Sequence, residues 1–279
     1  MRKQTPIAQR EQRLTLSEQA RLQFIRTEKR PFFLNDWRDV LMIHFRVDPE
    51  VLQAQAPFDL DLFDGEAYVS LIGFDMRRLR PTVGGPWSAA LVRCISDHSF
   101  LNVRTYVRHR GERGIYFLAE WLPNRLSVLL GPPTFGLPYR FGRLRYEHRV
   151  DELSGEVEDR RQKLRLAYQG VPPAGSAMGL CPPGSLDEFV MERYTAFTCW
   201  HGLKRYFRIW HTPWRRQAMD VNLTDCNLLR GSGPWSESAS YVGAHFSPGL
   251  EDIWMGRPRW FRRGHDENPA RRTRLLLKL

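Results

Sequence analysis

Alternation of apolar and polar residues, repeated in seven short runs, is the feature that most constrains the fold of this chain. Each run carries β-branched or aromatic residues at every second position, which is typical of a strand with one buried face. The links between many of these runs are short and rich in Gly, Pro or charged residues, as in residues 110–114, 131–138 and 151–156. Because parallel strands need long crossovers, such links favour antiparallel neighbours. The predicted strands cover residues 40–47, 66–80, 100–109, 114–122, 139–150, 160–170 and 203–211.

Three segments predict helices instead. Ser185 followed by Glu188 forms a capping-box pair, and Asp48 is a good N-cap for a short helix. With few helices outside an antiparallel sheet, the sequence predicts a mainly β (α+β) fold in which the sheet curls into a barrel or sandwich. The predicted helices cover residues 14–30, 48–56 and 184–197.

The charge of the chain is concentrated at its two ends. The formal net charge is +11, yet residues 31–256 hold 26 basic and 26 acidic residues. Residues 1–30 carry eight Lys/Arg against three acids, and residues 257–279 carry eight against two. One hypothesis is that these ends bind nucleic acid or another anionic surface, and the other is that they are simply solvated segments. The neutral middle does not favour nucleic acid as the main partner.

Several classes of protein are not favoured by the sequence. The longest apolar stretches are too short to predict a membrane-spanning helix, and the basic N-terminus lacks the apolar core of a secretion signal. The interpretation is therefore a cytoplasmic protein. The four cysteines contain no C-x-x-C pair and the eight histidines have no common metal-ligand spacing, so neither a metal nor a cofactor is predicted. Standard nucleotide-binding and hydrolase motifs are also missing.

Polar residues interrupt the predicted strands at positions that alternation places on one face. Asn102, Arg104 and Tyr106 share a face of one strand, and Arg46 interrupts an apolar strand. These side chains could decorate the solvated outside of a sheet. Alternatively, arginines that face a cavity would bind a carboxylate or another anion. The sequence leaves both alternatives open.

Six segments in order resemble an uncharacterised bacterial domain-of-unknown-function family related to acetoacetate decarboxylase. The resemblance extends from about residue 37 to about residue 256. It implies the acetoacetate decarboxylase-like fold, a conical antiparallel β-barrel around a central pocket with a few peripheral helices. The segments are HFRVDPEVL, DLDLFDGEAYVSLIGFDMRRLRP, LNVRTYVRHRGERGIYF, FGLPYRF, GSLDEFVMERY and WHTPW.

The resemblance also implies what this chain has lost. In the decarboxylase, two lysines follow a Gly-x-Pro turn, and one of them forms a Schiff base with a β-keto acid. In this chain the matching turn is residues 136–138, and the lysine positions are held by Tyr139 and Arg140. A phenol cannot form an imine, and a guanidinium remains protonated. Schiff-base chemistry is therefore not expected at this motif.

Two further positions follow from the resemblance. The family's arginine before the first helix is retained as Arg46, whereas spacing places Phe100 where the decarboxylase has a carboxylate. The sequence thus predicts a pocket for a small organic, keto-acid-like anion. Tyr139 would be its catalytic or hydrogen-bonding residue. The expected ligand-binding residues are Arg46, Phe100, Asn102, Arg104 and Arg140.

The predicted organisation is one domain with two basic flanks: an N-terminal extension over residues 1–30, the barrel over residues 31–256 and a tail over residues 257–279. A binding protein and a lyase or hydratase without a Schiff-base lysine both fit the predicted pocket. The alternative function is nucleic-acid or anionic-surface binding through the two basic ends. Whether the chain forms a homo-oligomer is left open by the sequence.

Overall fold

The computed structural model of the protein describes residues 14–261, and strands account for most of its regular structure. The seven predicted runs all form strands, although the run over residues 139–150 divides into two. The predicted link over residues 151–156 is mostly part of a further strand. The strands are β1 (Phe33–Val47), β2 (Asp59–Leu60), β3 (Ala67–Pro81), β4 (His98–His109), β5 (Glu112–Leu122), β6 (Tyr139–Phe141), β7 (Arg143–His148), β8 (Leu153–Asp159), β9 (Leu164–Val171), β10 (Gly179–Leu180), β11 (Thr195–Trp200), β12 (Leu203–Trp210), β13 (Arg215–Asp225), β14 (Ser240–Met255) and β15 (Arg259–Trp260).

One continuous sheet contains most of these strands, in the order β15-β12-β11-β5-β4-β3-β1-β14-β13-β9-β8-β7. A further pairing between β12 and β14 closes seven strands (β12, β11, β5, β4, β3, β1 and β14) into a ring. The pairings are antiparallel, as predicted, except that β5 pairs in parallel with both β6 and β11. The β5–β6 pairing is possible because a helix crosses over between the two strands.

The helices are short and lie between strands or at the chain ends. Thr15 and Glu18 form a capping box on the first helix, and Asp48 accepts hydrogen bonds from two backbone N–H groups at the start of the second. Two 3₁₀ turns cover Arg93–Ile95 and Pro234–Ser238. The helices are α1 (Leu16–Glu28), α2 (Pro49–Gln53), α3 (Gly85–Val92), α4 (Arg125–Phe135), α5 (Leu186–Met191) and α6 (Asn227–Arg230).

Two of the sequence predictions need correction. The Gly/Pro run over residues 131–138 is not wholly a loop, because residues 131–135 complete α4, and Gly136 caps that helix in a left-handed conformation. The helix predicted over residues 184–197 ends at Met191. The residues from Thr195 onward are mostly β-branched or aromatic and pair with β12, and two of them also pair with β5, so tertiary pairing overrides the helical pattern.

The hydrophobic core has two large parts on opposite faces of the ring. One part packs the ring against β7, β8, β9 and β13. The other draws side chains from all seven ring strands, including Val40, Met42 and Phe207, and therefore fills the inside of the ring. We call the face of the ring that carries this second cluster the inner face. It is where polar groups would meet an enclosed ligand.

Parts of both predicted flanks are joined to the sheet. Ser17 of α1 donates a hydrogen bond to the carbonyl of His211, and Phe24 is fully buried. Glu28 pairs with Arg259 of β15 at 2.8 Å. Residues 1–13 and 262–279, which carry much of the predicted basic charge, lie outside the described residues.

Within residues 14–261, no helix is long and apolar enough to cross a membrane. The same part of the chain contains no group of three or more His, Cys, Asp or Glu side chains placed to hold a metal ion.

Candidate functional site

A row of side chains crosses the inner face through four neighbouring strands. Ile72 of β3 is paired with Asn102 of β4, Asn102 with Glu120 of β5, and Glu120 with Tyr139 of β6. Directly paired residues point to the same face of a sheet. The amide, the carboxyl and the phenol therefore lie side by side, although they are far apart in the sequence.

A cavity of about 740 Å³ opens beside the end of this row. Its wall is mainly apolar and includes Phe33, Phe100, Phe135 and Leu137. Tyr139 also lines it. A concave, largely apolar space with a few polar groups is the usual form of a small-molecule site.

Tyr139 is held in the wall by a close approach to α4. A Cβ atom at Gly131 would lie 2.2 Å from the ring of Tyr139, so the helix must have a glycine at this point. On another side, the ring centroid is 5.9 Å from that of Phe100. Burial, together with the negative charge of an ionised Glu120, raises the pKa of Tyr139 well above its usual value. The phenol is therefore a neutral O–H group at physiological pH.

Glu120 is buried without a cation. It is 2% exposed, and its Oε2 has no hydrogen-bond partner. Burial raises the pKa of Glu120 well above its usual value, which favours the protonated, uncharged form of the carboxyl. The Oδ1 of its neighbour Asn102 also lacks a partner. Unpartnered buried polar atoms are rare in folded proteins, and here two of them are adjacent.

His98, the first residue of β4, lines the same cavity. It is buried, neither of its ring nitrogens has a hydrogen-bond partner, and its ring centroid is 4.6 Å from that of Phe100. Burial lowers the pKa of His98 to about 4, against the opposing charges of Asp97 and Asp75. The imidazole is therefore neutral at physiological pH and offers one N–H donor and one free lone pair.

Arg257 contributes a positive charge to the cavity wall. Its side chain is exposed, and its guanidinium carbon lies 5.2 Å from the ring centroid of Phe32. Because this arginine is exposed while the aromatic wall is buried, we place it at the rim of the cavity. A carboxylate there would meet a cation without being removed from water.

The structure brings some of the predicted site residues together and separates others. Phe100 and Tyr139 line the cavity, and Asn102 lies on the inner face beside Glu120. Arg104 is also buried on that face, but its Nη2 donates to the carbonyl of Val190 at 3.0 Å.

Arg46 and Arg140 lie outside the cavity that Tyr139 lines. Arg140 follows Tyr139 in β6 and therefore points to the opposite face, where it lies over the ring of Trp121 and donates to the carbonyl of Gly231 at 2.8 Å. The side chain of Arg46 is 51% exposed at the end of β1, and its nearest acidic partner is Glu66 at 3.9 Å. The single cavity expected to hold Arg46, Tyr139 and Arg140 is thus corrected to one that Tyr139 lines without the two arginines.

Sequence reasoning missed Glu120, His98 and Arg257. Glu120 did leave a signal, because it is a charged residue in the otherwise apolar run IYFLAEWL, at a position that alternation places with Leu118 and Tyr116. The neighbours that make it unusual come from β4 and β6, which the local sequence does not reveal. His98 stands just before its predicted strand, and Arg257 was assigned to the tail.

The lysines of the described part of the chain are remote from the cavity. Lys29, Lys163 and Lys204 are all exposed, and Lys204 donates to the carbonyl of Pro57. None of the three lines the cavity.

The mainly β architecture is that of the acetoacetate decarboxylase-like fold. The structure of acetoacetate decarboxylase from Legionella pneumophila matches with a TM-score of 0.57 at 16% identity, covering 83% of this chain and 87% of that one. The enduracididine biosynthesis enzyme MppR complexed with pyruvate matches with a TM-score of 0.55 at 11% identity, covering 82% of this chain and 90% of that one.

The sequence match is more specific. Residues 35–251 match DUF2071, a family described as an uncharacterized conserved protein, and the chain belongs to this family. The uncharacterized protein YqjF of Bacillus subtilis is 31% identical over 197 residues, which cover 67% of this chain and 76% of that protein.

Proposed function

We propose that this protein binds a small organic acid of the keto-acid kind in the cavity beside Tyr139, without forming an imine. The observation that carries the proposal is the composition of the cavity: an aromatic and aliphatic wall, a half-buried phenol and a neutral imidazole, and an arginine at the rim. The apolar wall would take the body of the ligand. The phenol of Tyr139 would donate a hydrogen bond to its carbonyl oxygen, and Arg257 would pair with its carboxylate.

The size and polarity of the cavity favour a ligand larger and more apolar than pyruvate. A cavity of about 740 Å³ is in the usual range for drug-sized ligands. MppR, which shares the fold, has been observed in complex with pyruvate, and this supports a keto acid as the ligand class. The replacement of the lysine pair by Tyr139 and Arg140, and the exposure of Lys29, Lys163 and Lys204, support binding without a covalent adduct.

A calorimetric titration with three matched probes tests the proposal. Benzylpyruvate has an apolar group and a keto-acid group, pyruvate lacks the benzyl group, and benzylacetone lacks the carboxylate. We expect benzylpyruvate to bind at least about tenfold more tightly than pyruvate, because its ring is buried against the aromatic wall. Treatment of the complex with borohydride should leave the mass of the protein unchanged.

Two variants test whether the arginine at the rim of the cavity binds the carboxylate. Arg257→Gln should weaken benzylpyruvate binding about threefold to tenfold and leave benzylacetone binding unchanged, because only the acid pairs with the guanidinium. Arg145→Gln is the control, since Arg145 is an exposed arginine of β7 away from the cavity. The proposal is wrong if benzylpyruvate shows no saturable binding, or if borohydride traps an adduct on a lysine.

A further inference from the structure

A second cavity adjoins the one that Tyr139 lines. Its volume is about 480 Å³, and Phe32 and Arg257 belong to the walls of both cavities. The rest of its wall comes from the end of α1, the link between α1 and β1, and the two residues that follow β3. The two spaces therefore meet at Phe32 and Arg257, and a ligand of sufficient length can occupy both.

Backbone hydrogen bonds between distant segments hold the wall of this second cavity. The N–H of Phe32 donates to the carbonyl of Met255 at 2.7 Å, and the N–H of Thr82 donates to the carbonyl of Phe32 at 3.1 Å. The hydroxyl of Thr82 also donates to the carbonyl of Pro31. The wall is thus fixed to the ends of three strands of the sheet.

The second cavity carries an excess of positive charge. Lys29, Arg30 and Arg257 line it and are exposed, and within residues 14–261 none of the three forms an ion pair with an acidic side chain. The wall also includes the acidic residue Glu28. Its side chain is 3% exposed, and it accepts hydrogen bonds from Arg259 at 2.8 Å and 3.0 Å. The charge of Glu28 is therefore compensated by Arg259, and a concave space lined by three cations concentrates positive potential.

We propose that the second cavity binds a phosphate group of the same ligand whose apolar body occupies the first cavity. A phosphate monoester carries about −1.5 to −2 charges at neutral pH and has three oxygens that accept hydrogen bonds. One guanidinium is sufficient for a carboxylate, whereas three cations around one space suit a group of higher charge. The inference rests on the proposed function only in requiring the apolar cavity to hold the body of the ligand. It adds the ligand class, an apolar organic acid that bears a phosphate.

The adjoining apolar wall favours such an amphipathic ligand over free inorganic phosphate. A free ion would contact only exposed cations, and each such pair contributes little in water. A ligand whose apolar end is already bound presents its phosphate to these cations at a high effective concentration. Because Lys29, Arg30 and Arg257 are exposed, the ion pairs form without the free-energy cost of burying charge.

Calorimetric titration of the full chain with two matched probes tests the inference. Phenylbutyl phosphate and phenylvalerate have the same apolar body and differ in the anionic group. We expect the phosphate to bind about tenfold more tightly than the carboxylate at low salt. This advantage should shrink as sodium chloride is added, because exposed charges are screened. Phenylbutyl phosphate should also displace benzylpyruvate, since both place a ring in the first cavity.

A double variant tests which cations bind the phosphate. Lys29→Gln combined with Arg30→Gln should remove the advantage of the phosphate, so that the two probes bind with affinities within about threefold of each other. Arg26→Gln is the control, because Arg26 is an exposed arginine of α1 that lines neither cavity. It should keep the full advantage. Circular dichroism checks that the variants are folded.

The outcomes separate this inference from the proposed function. If benzylpyruvate binds but phenylbutyl phosphate binds no more tightly than phenylvalerate, the inference is wrong and the binding proposal stands. A phosphate advantage that persists in the double variant also overturns it. So does inorganic phosphate that binds as tightly as phenylbutyl phosphate, or a phosphate probe that does not compete with benzylpyruvate. If benzylpyruvate fails to bind while phenylbutyl phosphate binds through Lys29 and Arg30, the phosphate site is supported and the keto-acid class is wrong.

Discussion

Asp61 and Glu120 are equally buried carboxyl groups with opposite surroundings. Each is 2% exposed. Asp61 receives Arg193 and Arg113 at 2.7 Å and Arg108 at 2.8 Å, whereas Glu120 has no ion pair within the described part of the chain. The two carboxyls have the same small exposed fraction and differ sharply in their partners.

The partners decide the protonation state. Burial alone would raise the pKa of Asp61, but the charge of Arg193 and hydrogen bonds from three guanidiniums outweigh it and lower that pKa. In Glu120 burial is unopposed, and the pKa rises well above its usual value. Asp61 is therefore an anion that joins β2 to the β4–β5 hairpin and to Arg193. Glu120 is a buried acid without a cation, and it lies beside Tyr139, which lines the candidate site. A buried carboxyl that is paired with cations is explained by the structure alone, whereas a buried carboxyl without a cation makes its surroundings a candidate functional site.

The largest expected effect comes from Asp61→Asn. The change keeps the shape of the side chain but leaves the guanidinium of Arg193, whose side chain is 3% exposed, without its charge partner. Breaking a buried ion pair from one side costs about 3–5 kcal/mol of unfolding free energy. Urea denaturation at neutral pH measures it.

Asp59→Asn is the matched control for that experiment, because Asp59 is an exposed aspartate two residues away. Its unfolding free energy should change by less than about 0.5 kcal/mol. A loss below about 1 kcal/mol in Asp61→Asn would mean that the aromatic rings of Phe189 and Tyr106, at 4.2 Å and 5.1 Å from the Arg193 guanidinium carbon, are sufficient partners.

The same carboxyl-to-amide change at Glu120 should act in the opposite direction. The pKa of Glu120 is higher in the folded than in the unfolded chain, so above the unfolded value of about 4.3 the folded state binds the extra proton and stability falls as pH rises. Glu120→Gln removes this penalty and should stabilise the protein at neutral pH by up to about 3.7 kcal/mol, which is about 1.4 kcal/mol for each pH unit between the unfolded pKa and pH 7. At pH values below the unfolded pKa the two proteins should be equally stable.

The pH dependence is what distinguishes this explanation from a packing effect. The difference between Glu120→Gln and the unmodified protein should grow by up to about 1.4 kcal/mol per pH unit above that value. Glu152→Gln, at an exposed position, should show no such slope. A difference in unfolding free energy that does not depend on pH would show that Glu120 is already ionised in the folded protein. Glu120 and Asp61 would then not differ in protonation state.

The sequence predicts the strands well because their evidence is local. Period-two alternation needs only neighbouring residues, and it locates all seven predicted runs in the sheet. Local patterns fail where a strand is determined by pairing with a distant part of the chain. Residues after Tyr194 look helical, yet they pair with β5, which lies about 80 residues earlier in the chain. The Gly/Pro run at the end of α4 reads as a turn, because its helical conformation depends on the preceding residues, where Asn124 caps the helix.

The candidate site was only partly predictable for the same reason. The resemblance pointed to Tyr139, and alternation alone could have indicated that its neighbour Arg140 faces the other way. The protonated state of Glu120 depends on which side chains of β4 and β6 lie beside it and on the absence of a cation among them. The contrasting state of Asp61 depends on Arg193, which lies 132 residues away. No short stretch of the sequence reveals the surroundings of Glu120 or of Asp61.

The smallest expected effect concerns the contact that holds Tyr139 beside Glu120. In an open helix, Gly131→Ala would stabilise the protein by up to about 1 kcal/mol, since alanine restricts the unfolded chain. Here the new methyl group would lie 2.2 Å from the Tyr139 ring, so we expect a net loss of about 1–2 kcal/mol in unfolding free energy and weaker benzylpyruvate binding. Gly179→Ala, where no atom lies within 4 Å of the added Cβ, is the control. In a Tyr139→Ala background, Gly131→Ala should become neutral or stabilising. If it stays destabilising without the ring, some other contact requires the glycine, and α4 does not position the phenol beside the protonated carboxyl.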